Sequence, residues 1–77
     1  MKKEPLLIGT YLRVLRTRKK LTQQELSVKT GISQNCISEL EANKHRPRWK
    51  HVQLLAGVLG VTEKAILFPP AVLHPPS

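Results

Sequence analysis

Apolar positions recur along this chain in steps of three and four, the period of helices that bury one face. Ile8, Leu12 and Leu15 fall at i, i+4 and i+7 with Tyr11 alongside, which predicts a first helix opened by Pro5. Arg13, Arg16, Arg18 and Lys19 fill the remaining arc or the final turn, where cations suit the helix dipole. Thr22 stands three residues before Glu25, so its oxygen can accept from the Glu25 N–H while the carboxylate reaches back to the N–H of Thr22. That capping box predicts a second helix over Gln23 to Thr30. Gly31 suits the left-handed backbone that ends it, Ser33 is the next capping residue, and a third helix is expected from Gln34 to Ala42. Asn43-Lys44-His45-Arg46 reads as a loop. Pro47 suits the first position of a fourth helix, whose Trp49, Val52, Leu55, Ala56 and Leu59 make a core stripe before Gly60 stops it. Thr62 can cap a short fifth helix running through Phe68.

The expected architecture is all-α, with five helices in one domain over residues 1–68 and a Pro-rich tail over 69–77 that cannot continue a helix. A chain of 77 residues buries only about 60% of its extended surface, so stability must come from tight helix packing or from a partner subunit. Leu54 and Val58 lie opposite the core stripe of the fourth helix and call for a further cover, either the fifth helix or a second copy. The formal net charge of +8 favours a polyanionic partner, nucleic acid or an anionic membrane, over an acidic small molecule. Charge alone does not choose between the two. The start Met1-Lys2-Lys3 mimics a signal peptide, but the apolar run Leu6-Leu7-Ile8 gives way at Gly9, and no segment approaches a transmembrane length. A cytoplasmic protein without membrane partners is expected. One cysteine, Cys36, allows neither an internal disulfide nor a thiolate zinc cluster, and His45, His51 and His74 share no helical face at ligand spacing. The five carboxylates form no catalytic pair, so neither an enzyme, a cofactor nor a small-molecule substrate is expected.

Two short helices joined by a tight bend at Gly31 have the layout of a DNA-binding helix-turn-helix. From Ile8 to Leu67 the chain resembles the Cro and phage-repressor type, the lambda-repressor-like or xenobiotic-response-element family. The resemblance rests on Ile8-Gly9, Leu12, Leu15-Arg16, Leu21-Thr22-Gln23, Leu26, Gly31-Ile32-Ser33, Ile37-Ser38, Leu40-Glu41, Pro47, Leu55-Ala56 and Leu59-Gly60-Val61. Departures from the family pattern are Ser27 for a small apolar residue, Lys20 and Asn43 where glycine is frequent, and Glu39 near the DNA-facing side. The resemblance implies a homodimer that binds double-stranded DNA and regulates transcription. It implies base contacts from the positions of Gln34, Asn35, Ser38 and Glu39, and a phosphate contact from Gln23, which would also brace Gln34. It further implies an ion pair between Arg16 and Glu41 that ties the third helix to the first, and a left-handed backbone at Lys20.

The residues themselves agree with that assignment. On a helix turning roughly 100° per residue, Gln34, Asn35, Ser38 and Ala42 share one arc, Cys36, Ile37 and Leu40 the opposing one, and Glu39 the border. Glutamine and asparagine can bond bidentately to adenine, and glutamate can accept from the cytosine amino group; the plain alternative is a solvated helix face. Lys44, Arg46, Arg48 and Lys50 follow with no acid among them, suited to phosphates, and Arg13 could extend the same footprint. Cys36 reads as a small packed residue in preference to a redox switch, Trp49 as core in preference to a base-stacking group, and His45 as a loop residue. A dimer surface is expected from Leu54, Val58, Leu67 and Phe68, with Val72-Leu73 of the tail adding apolar area. The sequence points to a small repressor or controller protein reading a palindromic operator. An antitoxin with autoregulatory DNA binding, or an interaction module that has lost DNA binding, are the alternatives.

Overall fold

Local capping signals set half of the helix boundaries. The computed structural model describes residues 6–70, so Pro5 and the tail residues from 71 onward, Val72-Leu73 included, lie outside the described residues. Five helices follow in order: α1 (Ile8–Arg18), α2 (Gln23–Thr30), α3 (Gln34–Glu41), α4 (Trp49–Leu59) and α5 (Glu63–Leu67). Thr22 Oγ1 accepts from the Glu25 N–H at 3.0 Å and Glu25 Oε1 accepts from the Thr22 N–H at 2.9 Å, which completes the capping box of α2. Those bonds from Thr22 hold the Glu25 carboxyl below the ordinary carboxylate range, with Lys29 adding a smaller attraction.

Gly31 ends α2 at φ 77°, and Ser33 Oγ then accepts from the Cys36 N–H at 3.1 Å to start α3. The bend is closed by side chains. Ser27 Oγ donates to the Ile32 carbonyl at 2.5 Å, while Thr30 Oγ1 donates to the Leu26 carbonyl at 2.8 Å and accepts from the Ile32 N–H at 3.2 Å. The departure at Ser27 thus supplies a brace that an apolar residue could not.

No local side chain caps α1, whose N-cap residue is the apolar Leu7. Asn43 takes that role from 34 residues away, its Oδ1 accepting from the Gly9 N–H at 2.8 Å and its Nδ2 donating to Thr10 Oγ1 at 3.3 Å. Asn43 itself sits at φ 59°, a left-handed position that asparagine tolerates better than most side chains. A glycine there would relieve the backbone and lose the cap.

α1 packs on α3 and α5, α2 on α3 and α4, and α4 on α5. Leu12, Leu26, Ile37, Val52, Leu55 and Ile66 are the largest fully buried side chains at the centre, each adding about 1.5–3 kcal/mol through apolar burial.

Several boundaries and burials differ from the sequence reading. α3 closes at Glu41 with Ala42 as its C-cap, and α5 closes at Leu67 with Phe68 beyond it. Pro47 is not in α4: Arg48 keeps an extended backbone, and residues 46–48 are spent crossing from α3 to the start of α4. Trp49 is 56% exposed, not core. It occupies the first helical position, and helical side chains lean toward the N-terminus, so its ring overhangs the end of α4. Val58 is partly buried against the core, close to Lys19 and Leu21 of the α1–α2 turn, so the open stripe expected on α4 shrinks to Leu54.

Lys20 lies at φ 57°. A non-glycine residue there stores on the order of 1 kcal/mol, which offsets the greater entropy glycine loses on folding. Lys20→Gly is therefore expected to leave the melting temperature unchanged or raise it. A clear drop would mean that the lysine side chain makes a compensating contribution.

Candidate nucleic-acid interface

The orientation of α3 is set from below by charge. Arg16 Nε donates to Glu41 Oε2 at 2.7 Å and Arg16 Nη2 to Glu41 Oε1 at 3.0 Å, a bidentate pair whose side chains are only 12% and 5% exposed. Arg16 Nη1 donates to the Leu21 carbonyl at 2.7 Å, so one guanidinium joins α1, the turn before α2, and the end of α3. The Glu41 carboxylate holds the guanidinium pKa above its ordinary value through that hydrogen bond.

Gln23, at the start of α2, is half-buried and donates through Nε2 to Glu41 Oε1 at 3.2 Å. It does not brace Gln34, as the resemblance implied. A carboxylate is a stronger acceptor than a neutral amide, so the nearer charge wins the glutamine. The side-chain carbonyl and a second N–H of Gln23 remain for other partners.

With Ile37 and Leu40 buried beneath, α3 turns Gln34, Asn35, Ser38 and Ala42 to solvent, and Glu39 is half-exposed. Asn35 Nδ2 donates to Glu39 Oε1 at 3.3 Å, one turn further on. This face carries amides, a hydroxyl and one carboxylate, and no cation. Cys36 is half-buried, with its Sγ 3.9 Å from His51 Nδ1 of α4. Fifteen residues separate that pair, and no sequence spacing announces it.

Lys44, Arg46, Arg48 and Lys50 are all exposed, and among the described residues none of them is in an ion pair. Three of the four border two concavities. Lys44 and Arg46 border a groove of about 740 Å³ whose floor includes Leu6, Leu7, Leu67 and Phe68. Arg46 and Arg48 border a smaller one of about 450 Å³ with Cys36, His45 and His51. Arg13 is exposed on α1, one turn before Arg16. Among the described residues no group of three or more histidine, cysteine or acidic side chains could hold a metal ion, and no helix is long and apolar enough to cross a membrane.

This geometry has relatives. The chain is 35% identical over 63 residues to the uncharacterized HTH-type transcriptional regulator y4dJ of Sinorhizobium fredii, covering 82% of each. It is 28% identical over 60 residues to the immunity repressor protein of Bacillus phage phi105, covering 78% of this chain and 42% of the repressor. The chain thus spans less than half the length of that repressor. Among solved structures, the DNA complex of SinR, the biofilm master regulator of Bacillus subtilis, superposes with a TM-score of 0.75 at 26% identity, over 78% of this chain and 97% of that one. The helix-turn-helix family profile matches residues 12–66. That span runs from the buried Leu12 of α1 to the buried Ile66 of α5 and holds every buried core residue except Tyr11, so the chain belongs to the helix-turn-helix family of the Cro and phage-repressor type.

Proposed function

We propose that this protein is a cytoplasmic, sequence-specific transcriptional regulator that binds a palindromic operator in double-stranded DNA as a homodimer. The observation that carries this reading is the division of labour around α3. Its exposed face is free of cations, and exposed cations follow it directly in sequence at Lys44, Arg46, Arg48 and Lys50. Amides can read base edges in the major groove while lysine and arginine hold the phosphates on either side. In this reading Gln34, Asn35, Ser38 and Glu39 face bases. Gln23, Arg13 and the four cations Lys44, Arg46, Arg48 and Lys50 face phosphates.

A lone recognition helix covers too few base pairs to select one genomic site, which favours two copies reading half-sites roughly 34 Å apart. Phe68 is 72% exposed, Leu7 63% and Leu54 37%. With the half-buried Leu67 they offer apolar surface for a second copy.

Two measurements test the proposal together. Binding to a selected operator should weaken steeply with salt, and Arg48→Ala should weaken all sequences alike and lower the salt slope by about one. Phe68→Glu should sediment as a folded monomer with reduced operator affinity. Salt-independent binding would remove the DNA reading, whereas a wild-type monomer at all concentrations, binding a half-site with a one-site curve, would remove the dimer.

A further inference from the structure

The hydrogen bond between Asn35 and Glu39 constrains which bases α3 can accept. An ionised carboxylate only accepts hydrogen bonds, so the Asn35 group facing Glu39 Oε1 at 3.3 Å must be its NH2. The carboxamide is thereby oriented, with Oδ1 and one remaining N–H left for an outside partner. Glu39 keeps Oε2, an acceptor with nothing to donate.

In the major groove the donors are the adenine N6 and cytosine N4 amino groups, while guanine O6 and N7 and thymine O4 are acceptors. A carboxylate facing guanine or thymine would meet only acceptors, and its charge would be desolvated without a partner. Facing adenine, it would meet one donor but also N7. Facing cytosine, it meets an amino group with no acceptor on the same base. The oriented Asn35 amide has the complementary preference, since Oδ1 can accept from adenine N6 while the free N–H donates to N7. Residues i and i+4 of a helix are about 6 Å apart along its axis, which spans one to two base steps.

Resting on the reading of α3 as the base-reading helix, we infer that Asn35 and Glu39 form a coupled specificity pair, Asn35 selecting adenine and Glu39 selecting cytosine within two steps of it in each half-site. Glu39 acts as much by rejection as by attraction. It also positions Asn35, so the two preferences are not independent.

The test is selection of bound duplexes from a random DNA pool by the wild-type protein, followed by affinities for single-base variants of the selected site with wild type, Glu39→Gln and Asn35→Ala. One position should prefer cytosine, with thymine or guanine costing wild type about 10-fold or more. Glu39→Gln, whose amide both donates and accepts, should reduce that discrimination to about threefold or less and also soften the neighbouring adenine preference. Asn35→Ala should erase the adenine preference and leave the cytosine preference in place. The inference fails if Glu39→Gln alters no position, or if every position it alters prefers an A·T pair over C·G in either orientation. A pool from which no duplex is retained at low salt would instead overturn the DNA-binding proposal itself.

Discussion

Glu41→Ala is expected to lower the stability of this fold by about 3–5 kcal/mol, the cost of breaking a buried ion pair from one side. The carboxylate is 5% exposed and accepts from Arg16 Nε, Arg16 Nη2 and Gln23 Nε2. Its loss leaves the Arg16 guanidinium, 12% exposed, with the Leu21 carbonyl as its remaining partner. Arginine cannot shed its proton, so the orphaned charge has no way to neutralise itself. For a domain this small each kcal/mol moves the melting temperature by about 4–8 °C, and the variant should unfold more than about 12 °C below wild type. The double variant Arg16→Met with Glu41→Leu should recover much of the loss, because no buried charge remains. A loss of less than about 1 kcal/mol in a denaturant titration would show that solvent screens the pair as it screens surface ion pairs.

The second large effect is expected at Gly9, where alanine should destabilise by about 1–3 kcal/mol or more although it favours helix intrinsically. A methyl group at Gly9 would overlap the Leu40 carbonyl oxygen and stand 2.6 Å from Asn43 Oδ1. Neither neighbour yields cheaply. The carbonyl belongs to the backbone of α3, and moving Asn43 breaks its 2.8 Å bond from the Gly9 N–H. The same substitution at Gly57 is the control. That glycine is exposed in α4, and a methyl there meets nothing within 4 Å, so Gly57→Ala should raise stability by about 0.5–1 kcal/mol. Thermal melts of the two variants should shift in opposite directions. Equal shifts would mean that helix propensity, and not the α1–α3 approach, decides at Gly9.

What could be read from the sequence was what residues close along the chain decide between them. Thr22 and Glu25 form their capping box within one turn, Gly31 and Gly60 end helices at positive φ, and the buried faces of α1 and α3 follow helical spacing. Trp49 has the phase of a core residue and is exposed because phase says nothing about where a helix outruns its neighbours. Asn43 was legible as an odd residue in a glycine position, but not as the cap of a helix 34 residues earlier. On the candidate interface, the polar arc of α3 was visible as an arc. That Gln23 turns to Glu41 and that Asn35 turns to Glu39 are choices among competing acceptors, and only three-dimensional proximity settles them.

The bonds that hold α3 in place and the side chains it displays are separate sets. Glu41 reaches Arg16 and Gln23, Asn43 follows at the helix exit and grips α1, and Ile37 and Leu40 fill the core. Among the described residues, the side chains of Gln34 and Ser38 make no hydrogen bond to the scaffold, and Asn35 and Glu39 bond only to each other. Substitutions at those four positions therefore start from a nearly level stability landscape. On the proposed reading of α3, the address can drift while the carrier stays folded, and a duplicated copy of this chain could acquire a new target without first acquiring a stabilising mutation.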